Sequence, residues 1–215
     1  VEVGVEAVRG QEFFVGACLP VGYASTLLAL IPKVDNPARF TDFRPISLCN
    51  FVNKIISKIL ASRLDGVLAK IISPQQSAFV KGRLISDNVL LAQELISAIN
   101  KRVRGANMAL KLDMAKAYDK VQWVYLVSVL RAFGFGEIFI DMVWRLVSNC
   151  HFSVLVNGQP CGFFKSACGL RHGDPLSPAL FVILAEVLSR GLNALLQDSS
   201  FTPFSVGRNN CPITH

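Results

Sequence analysis

Leu110-Lys111-Leu112-Asp113-Met114-Ala115-Lys116-Ala117-Tyr118-Asp119-Lys120-Val121 is the stretch whose reading decides the fold. Met108, Leu110 and Leu112 recur at every second position, the period of a half-buried strand, so a strand is expected over 107–113. That period puts Asp113 on the face opposite Leu112, at the strand's exit, where a carboxylate can hold a cation in a cleft. A second carboxylate, Asp119, follows six residues on, beside Tyr118. The plain alternatives are a helix-capping or Lys/Arg-paired Asp113, a capping Asp119 and a core-packed Tyr118.

About fifty residues downstream stands Gly169-Leu-Arg-His-Gly-Asp-Pro-Leu-Ser-Pro178, a backbone that must turn tightly and can approach a ligand closely. Ser177-Pro178 reads as an N-cap with proline at the first helical position, opening an apolar helix to about 197. Upstream of it, 152–156 alternates as a strand into Asn157-Gly158, a hairpin signal. Helices are expected over 122–133 and 137–149, split by Gly134-Phe-Gly136. Nearer the start, 5–15 reads as a helix. Strands over 26–33 and 44–48 form a long-tipped hairpin around Asp35-Asn36-Pro37. A helix over 50–70 has Phe51, Ile55, Ile59, Leu60, Leu64 and Leu68 on one face. A polar, basic loop over 75–85 leads to a helix capped by Ser86 or Asp87 and running to about 103. Strands from separate regions with helices between them give an α+β class.

The chain has 215 residues, 52% of them hydrophobic, which suits a packed core rather than disorder. Its net charge of +7 suits a polyanion, nucleic acid first among the candidates. Six cysteines form no CxxC pair and have no histidine at ligand spacing, so neither a zinc site nor a disulfide framework is expected, and the setting is a reducing one. The start, Val1-Glu-Val-Gly, lacks a signal pattern and reads as an internal cut. The longest apolar run, Leu176 to Leu188, is broken by Glu186 and reads as too short to span a bilayer, so no membrane is expected. The oligomeric state is not legible.

Carboxylates at a strand end suit nucleotidyl transfer, in which two divalent cations about 3.5–4 Å apart stabilise the attacking and leaving oxygens. Asp113 is the candidate ligand. Lys33 and Arg44 flank the hairpin and suit phosphates, one as a point charge and the other as a planar fork. Lys81 and Arg83 sit in a basic loop. Each of these cations also has a plain reading as solvated surface. His172 has no visible carboxylate or nucleophile partner in the sequence.

Taken in order, these segments resemble the reverse transcriptase domain of non-LTR (LINE-type) retrotransposons over roughly 13–215. Leu30-Ile-Pro-Lys33, Asp42-Phe-Arg-Pro-Ile-Ser-Leu48 and Lys54-Ile-Ile-Ser-Lys-Ile-Leu-Ala-Ser-Arg-Leu64 are similar to its first fingers motif, and Gln75-Gln-Ser-Ala-Phe-Val-Lys-Gly-Arg83 to its second. Leu112 to Asp119 resembles the palm motif with the first catalytic aspartate, and Gly169 to Pro178 the next. The resemblance implies an incomplete right-hand polymerase with an antiparallel palm sheet: 1–25 leading in, 26–106 fingers and 107–215 a partial palm. It implies Asp113 as catalytic and metal-binding, and Lys33, Arg44, Tyr118, His172 and Gly173 as nucleotide-binding, with Tyr118 the gate against a ribose 2′-hydroxyl. Lys81 and Arg83 become nucleic-acid-binding. The implied activity is RNA-directed DNA synthesis with two Mg²⁺ ions, an RNA template, a DNA primer and deoxynucleoside triphosphates. The implied setting is intracellular, and nuclear for an active element.

The sequence departs from the family pattern in three places. His172 stands where the family usually has Gln, and Cys168 where it commonly has Arg. No aromatic-Ala-Asp-Asp run, which carries the remaining carboxylates, occurs in the 215 residues. The expectation is therefore a fragment inactive by itself. A non-catalytic nucleic-acid-binding remnant and a decayed element copy stay open as alternatives, as does the related group II intron maturase, although the Lys33–Arg44 spacing favours the LINE type.

Overall fold

The computed structural model describes residues 8, 10–100, 107–206 and 209–210. The chain divides into two compact units, Val1–Leu64 with Lys116–Phe181, and Asp65–Ala115 with Val182–His215.

In the first unit, residues 10–14 are helical, which overlaps the helix expected over 5–15. A short helix α1 (Val21–Ala24) feeds strand β1 (Ser25–Pro32), and the chain returns antiparallel as β2 (Phe43–Cys49), with Ile31 opposite Arg44. The expected hairpin is present. Helix α2 (Phe51–Ile71) follows, and its first part belongs to this unit. Leu60, Leu64 and Leu68 of the expected face are buried, in a stripe that Val52 and Ile56 complete; the other three, Phe51, Ile55 and Ile59, are exposed. Both ridges are apolar at a spacing of four, so periodicity alone could not choose between them.

Helices α4 (Trp123–Ala132) and α5 (Glu137–Ser148) pack through Leu126, Leu130, Ile140, Val143 and Leu146, all buried. The turn between them closes as a Schellman motif: Gly134 N donates to Arg131 O, Phe135 N donates to Leu130 O, and Gly134 takes φ +83°. Strand β3 (His151–Val156) then turns through Asn157 (φ 49°) and Gly158 (φ 80°) into β4 (Gln159–Lys165). The order is β2-β1-β3-β4, with β1 and β3 parallel. The class is α+β as expected, but the sheet is mixed, which corrects the antiparallel reading. A hairpin signal fixes the pairing of neighbours in sequence; it carries nothing about β1 and β3, which lie more than a hundred residues apart.

The second unit holds the end of α2, helix α3 (Ile85–Ala98) and the later part of α6 (Ser177–Ala194). Leu84 occupies the N-cap of α3 without a side-chain bond, so Ser86 and Asp87 lie inside its first turn rather than capping it. The helix stops at Ala98, and the expected extension toward 103 lies partly outside the described residues. The most consequential correction falls on 107–113. These residues form no strand, and Met108, Leu110 and Leu112 are 72–74% exposed. Alternation makes a strand only where a neighbour takes its backbone groups and covers its apolar side, and among the described residues none does so.

Helix α6 continues as a 3-10 turn to Gln197, so 177–197 is long and apolar enough by length and composition to cross a membrane, against the shorter reading from the sequence. Midway along it, Glu186 is 2% exposed and accepts Ser73 N at 3.0 Å and Ser73 Oγ at 2.6 Å.

Candidate functional site

Five of the candidate residues, Lys33, Arg44, Tyr118, His172 and Gly173, belong to the first unit. Asp113, Lys81 and Arg83 belong to the second.

The centre of the first group is where the turn over 116–121 meets the loop over 168–174. Gly169 N donates to Val121 O at 2.7 Å, Leu170 N to Tyr118 O at 2.9 Å, and Trp123 Nε1 to Gly169 O at 2.8 Å. Gly169 has φ +92°, and a Cβ there would lie 3.0 Å from Asp119 O. Only glycine allows both that backbone and that approach. The tight turn inferred from the glycines is present, and what it approaches is the chain's own 116–121 segment.

His172 Nε2 lies 2.9 Å from Asp119 Oδ1, both side chains being partly exposed. The sequence offered no partner for His172, because a pair 53 positions apart leaves no local signal. The Tyr118 ring stacks on Phe181 with centroids 5.0 Å apart, and meets the His172 ring at 5.2 Å. Partial burial pushes the Tyr118 phenol above its ordinary pKa. One face of an aromatic cluster and one imidazole–carboxylate pair are thus held on the same turn.

The hairpin joins this group through its backbone: Ser47 N donates to His172 O at 2.9 Å. Lys33 and Arg44 are both exposed at the far end of the same hairpin. Lys33 Nζ donates to Thr41 O, and Lys33 N to Asp42 O. The Asp42 carboxylate accepts from Arg39 N and Ala38 N, which hold its pKa below the usual range.

Beneath the loop, Asp174 is buried and accepts Arg171 Nη2 at 3.0 Å, Ser57 Oγ at 3.0 Å and Leu176 N at 2.9 Å. It is therefore Asp174, three residues before Ser177, that holds the chain at the entry to α6. Cys49 and Cys150 both have thiols raised by burial, which leaves them poor nucleophiles.

In the second unit, Lys81 is exposed. Arg83 behaves differently: Nη1 donates to Ser73 O and Gln76 O at 2.6 Å each, and Nη2 to Ile72 O at 2.9 Å. Its guanidinium closes the end of α2 and the following loop. Asp113 is exposed on the irregular 107–114 segment. Among the described residues, no three His, Cys, Asp or Glu side chains converge as a metal site, so the donor set there does not complete a two-ion centre.

Residues 31–202 match the family model described as reverse transcriptase (RNA-dependent DNA polymerase). The chain is 34% identical over 176 residues to the uncharacterized 149 kDa protein of transposon TX1 from Xenopus laevis, covering 81% of this chain and 13% of that one. It is 30% identical over 174 residues to the retrovirus-related Pol polyprotein from a type-2 retrotransposable element of Drosophila melanogaster, covering 81% and 16%. A Pol polyprotein from the type-1 retrotransposable element R2 of Nasonia vitripennis is 27% identical over 190 residues, covering 87% and 18%. The chain thus spans less than a fifth of the length of each of these relatives. Divalent metal ions, a nucleic acid template and primer, and nucleotide substrates are what proteins of that family model work with. With the model matched across most of its length and retrotransposon Pol proteins as relatives, the chain belongs to the reverse transcriptase family, in its non-LTR retrotransposon branch.

Proposed function

We propose that this chain carries the fingers (26–106) and part of the palm (107–215) of an RNA-directed DNA polymerase, with 1–25 leading in. Tyr118, His172 and Gly173 then face the incoming deoxynucleoside triphosphate, and Lys33 and Arg44 face its phosphates. The reaction joins the primer's 3′-oxygen to the α-phosphorus and releases pyrophosphate. Tyr118 closes the space where a ribose 2′-hydroxyl would sit. Lys33 offers a compact charge and Arg44 a planar fork to the polyphosphate. Asp113 would contribute one carboxylate toward the two Mg²⁺ ions expected of the complete enzyme, and those ions would supply charge stabilisation to the transfer. Arg83 spends its donors on main-chain carbonyls, so it shapes the loop that presents Lys81 to the RNA template or DNA primer.

One observation carries this reading: the imidazole–carboxylate pair and the backbone bonds that bring Tyr118 and His172 together from segments about fifty residues apart. Photocrosslinking with an azido-deoxynucleoside triphosphate and Mg²⁺, followed by peptide mapping, tests it. Adducts on Tyr118 or His172 that unlabelled deoxynucleotide suppresses support the assignment. Adducts elsewhere, or adducts indifferent to competitor, contradict it.

A further inference from the structure

The four-stranded sheet of the first unit has one covered face and one open face. On the covered side, Leu28, Ser47 and Phe152 border a cavity together with Leu146 and Val147 of α5. The other side is set by register: Leu27 pairs with Leu48, Ile31 with Arg44, Ser25 with His151, and His151 with Lys165. Paired residues point the same way and alternate residues of a strand share a face, so all of these lie together. Leu27, Ile31, Leu48, Arg44 and Lys165 are exposed there. Strands β1 to β4 contain no Asp or Glu, and their formal charges are Arg44 and Lys165 alone. This face suits a polyanion.

The aromatic ring on this face is Phe163, 60% exposed. Phe152 faces Phe164 while Val154 faces Cys161, which leaves Gly162 and Phe163 against Ser153 alone, and Gly162 takes φ +68°. Such a bulge re-aims a side chain and blunts an edge strand against pairing with a further strand. Here the Phe163 ring lies stacked on the His151 imidazole, with 8° between the planes and 5.1 Å between centroids. His151 thus backs one side of a ring that stays largely open to solvent. A flat ring held from behind, beside an exposed ammonium, matches an unpaired base and its phosphate. Bases in a duplex already cover one another's faces, so a single strand is the better match. The blunted edge counts against a second copy adding a strand to β4.

We propose that Phe163, backed by His151, is a stacking platform for one base of a single-stranded nucleic acid, and that Lys165 takes the adjoining phosphate. This rests on the reading of the chain as a nucleic-acid-binding fragment and needs none of the residues assigned to the nucleotide. Every base offers a flat face, so the platform tolerates any sequence but requires an unpaired base.

Fluorescence anisotropy of the 215-residue chain with a short oligo(dT), and with an abasic strand of equal length and charge, tests this. Phe163→Ala and Phe163→Leu each weaken oligo(dT) binding about tenfold, while the abasic strand binds as before and the salt slope is kept. The leucine keeps apolar bulk without the flat ring, and the exposure of Phe163 lets either variant fold. Phe163→Trp restores the affinity. Lys165→Ala weakens both strands alike and flattens the log–log salt slope by about 0.7. If the folded wild-type chain binds neither strand, the nucleic-acid reading falls together with this one. Oligo(dT) binding that both Phe163→Ala and Phe163→Leu leave intact, or a loss shared by the abasic strand, would overturn the platform alone. So would a dimer in sedimentation that Phe163→Ala dissociates while oligo(dT) binding is kept, which assigns the face to a second copy.

Discussion

His172 Nε2 and Asp119 Oδ1, 53 positions apart, sit 2.9 Å from each other. A carboxylate only accepts, so the pair fixes the proton on Nε2 and leaves Nδ1 as the acceptor whenever the ring is neutral. Nitrogen-15 shifts of the His172 ring should report the Nε2–H tautomer, and Asp119→Ala should release it into a mixture. An unchanged tautomer in the variant would show that something else holds the ring.

The two loop glycines should separate by severity. Gly169 and Gly173 both have positive φ, but a Cβ at 169 would lie 3.0 Å from Asp119 O, while at 173 it would meet Ser47 O at 3.6 Å. Gly173→Ala should cost about 1–2 kcal/mol, from backbone strain alone. Gly169→Ala should cost more, about 3 kcal/mol, because backbone must also move aside. Denaturant midpoints measured for both variants check the order, and equal losses would contradict it.

Glu186 holds the loop after α2 to α6 within the second unit, through two bonds to Ser73 and one to Arg190 Nε at 3.2 Å. Glu186→Leu is expected to cost about 2–3 kcal/mol, since it strips a part-buried hydroxyl and N–H of their acceptor. Ser73→Ala should cost only about 1 kcal/mol. Thermal melts decide between this and a passive Glu186, for which both changes would be near neutral.

Much of the chain was legible wherever the deciding physics is local. Gly134 and Asn157-Gly158 mark turns through backbone conformations that few other residues adopt, and both turns formed as read. The Arg44 strand, the α4–α5 pair and the start of α6 came through turn and helix signals of the same kind. What failed depends on distant neighbours. Residues 107–113 have the alternation of a strand but, among the described residues, no strand beside them, and in the first turns of α2 the ridge of Val52 and Ile56 that is buried was indistinguishable by period from that of Phe51, Ile55 and Ile59. Asp119 was given a structural or capping role, and its pairing with His172, 53 positions away, had no local signal. Arg83 was read as nucleic-acid-binding or solvated surface, and its bonds to the carbonyls of Ile72, Ser73 and Gln76 left no signal in the sequence.

Nucleic acid should bind mainly through phosphates, given a net charge of +7 with Lys33, Arg44 and Lys81 exposed. Affinity for a single-stranded oligonucleotide, measured by anisotropy, should fall with salt at a log–log slope of about −0.7 per phosphate neutralised. Lys81→Ala should flatten the slope by about one such step, while Arg83→Ala should act first on stability. Salt-independent binding would contradict the phosphate reading.

The 215 residues alone should extend no primer above the level of an Asp113→Ala control. Asp113 is a single carboxylate, and among the described residues no cluster of three ligands forms. Transition-state charge left without fixed counter-charge costs several kcal/mol, about a thousandfold or more in rate. Extension on poly(rA)–oligo(dT) that disappears in Asp113→Ala would show that other carboxylates in this chain complete the site.

The most direct measurement uses the chain continued through an aromatic-Ala-Asp-Asp segment and reads single-nucleotide extension with deoxy- and ribonucleotides in parallel. If Tyr118, stacked on Phe181 and set against His172, borders the sugar of the incoming nucleotide, Tyr118→Ala raises ribonucleotide incorporation relative to deoxyribonucleotide by about tenfold or more, while Asp113→Ala abolishes both. Selectivity unchanged by Tyr118→Ala, or synthesis indifferent to Asp113→Ala, would contradict the account.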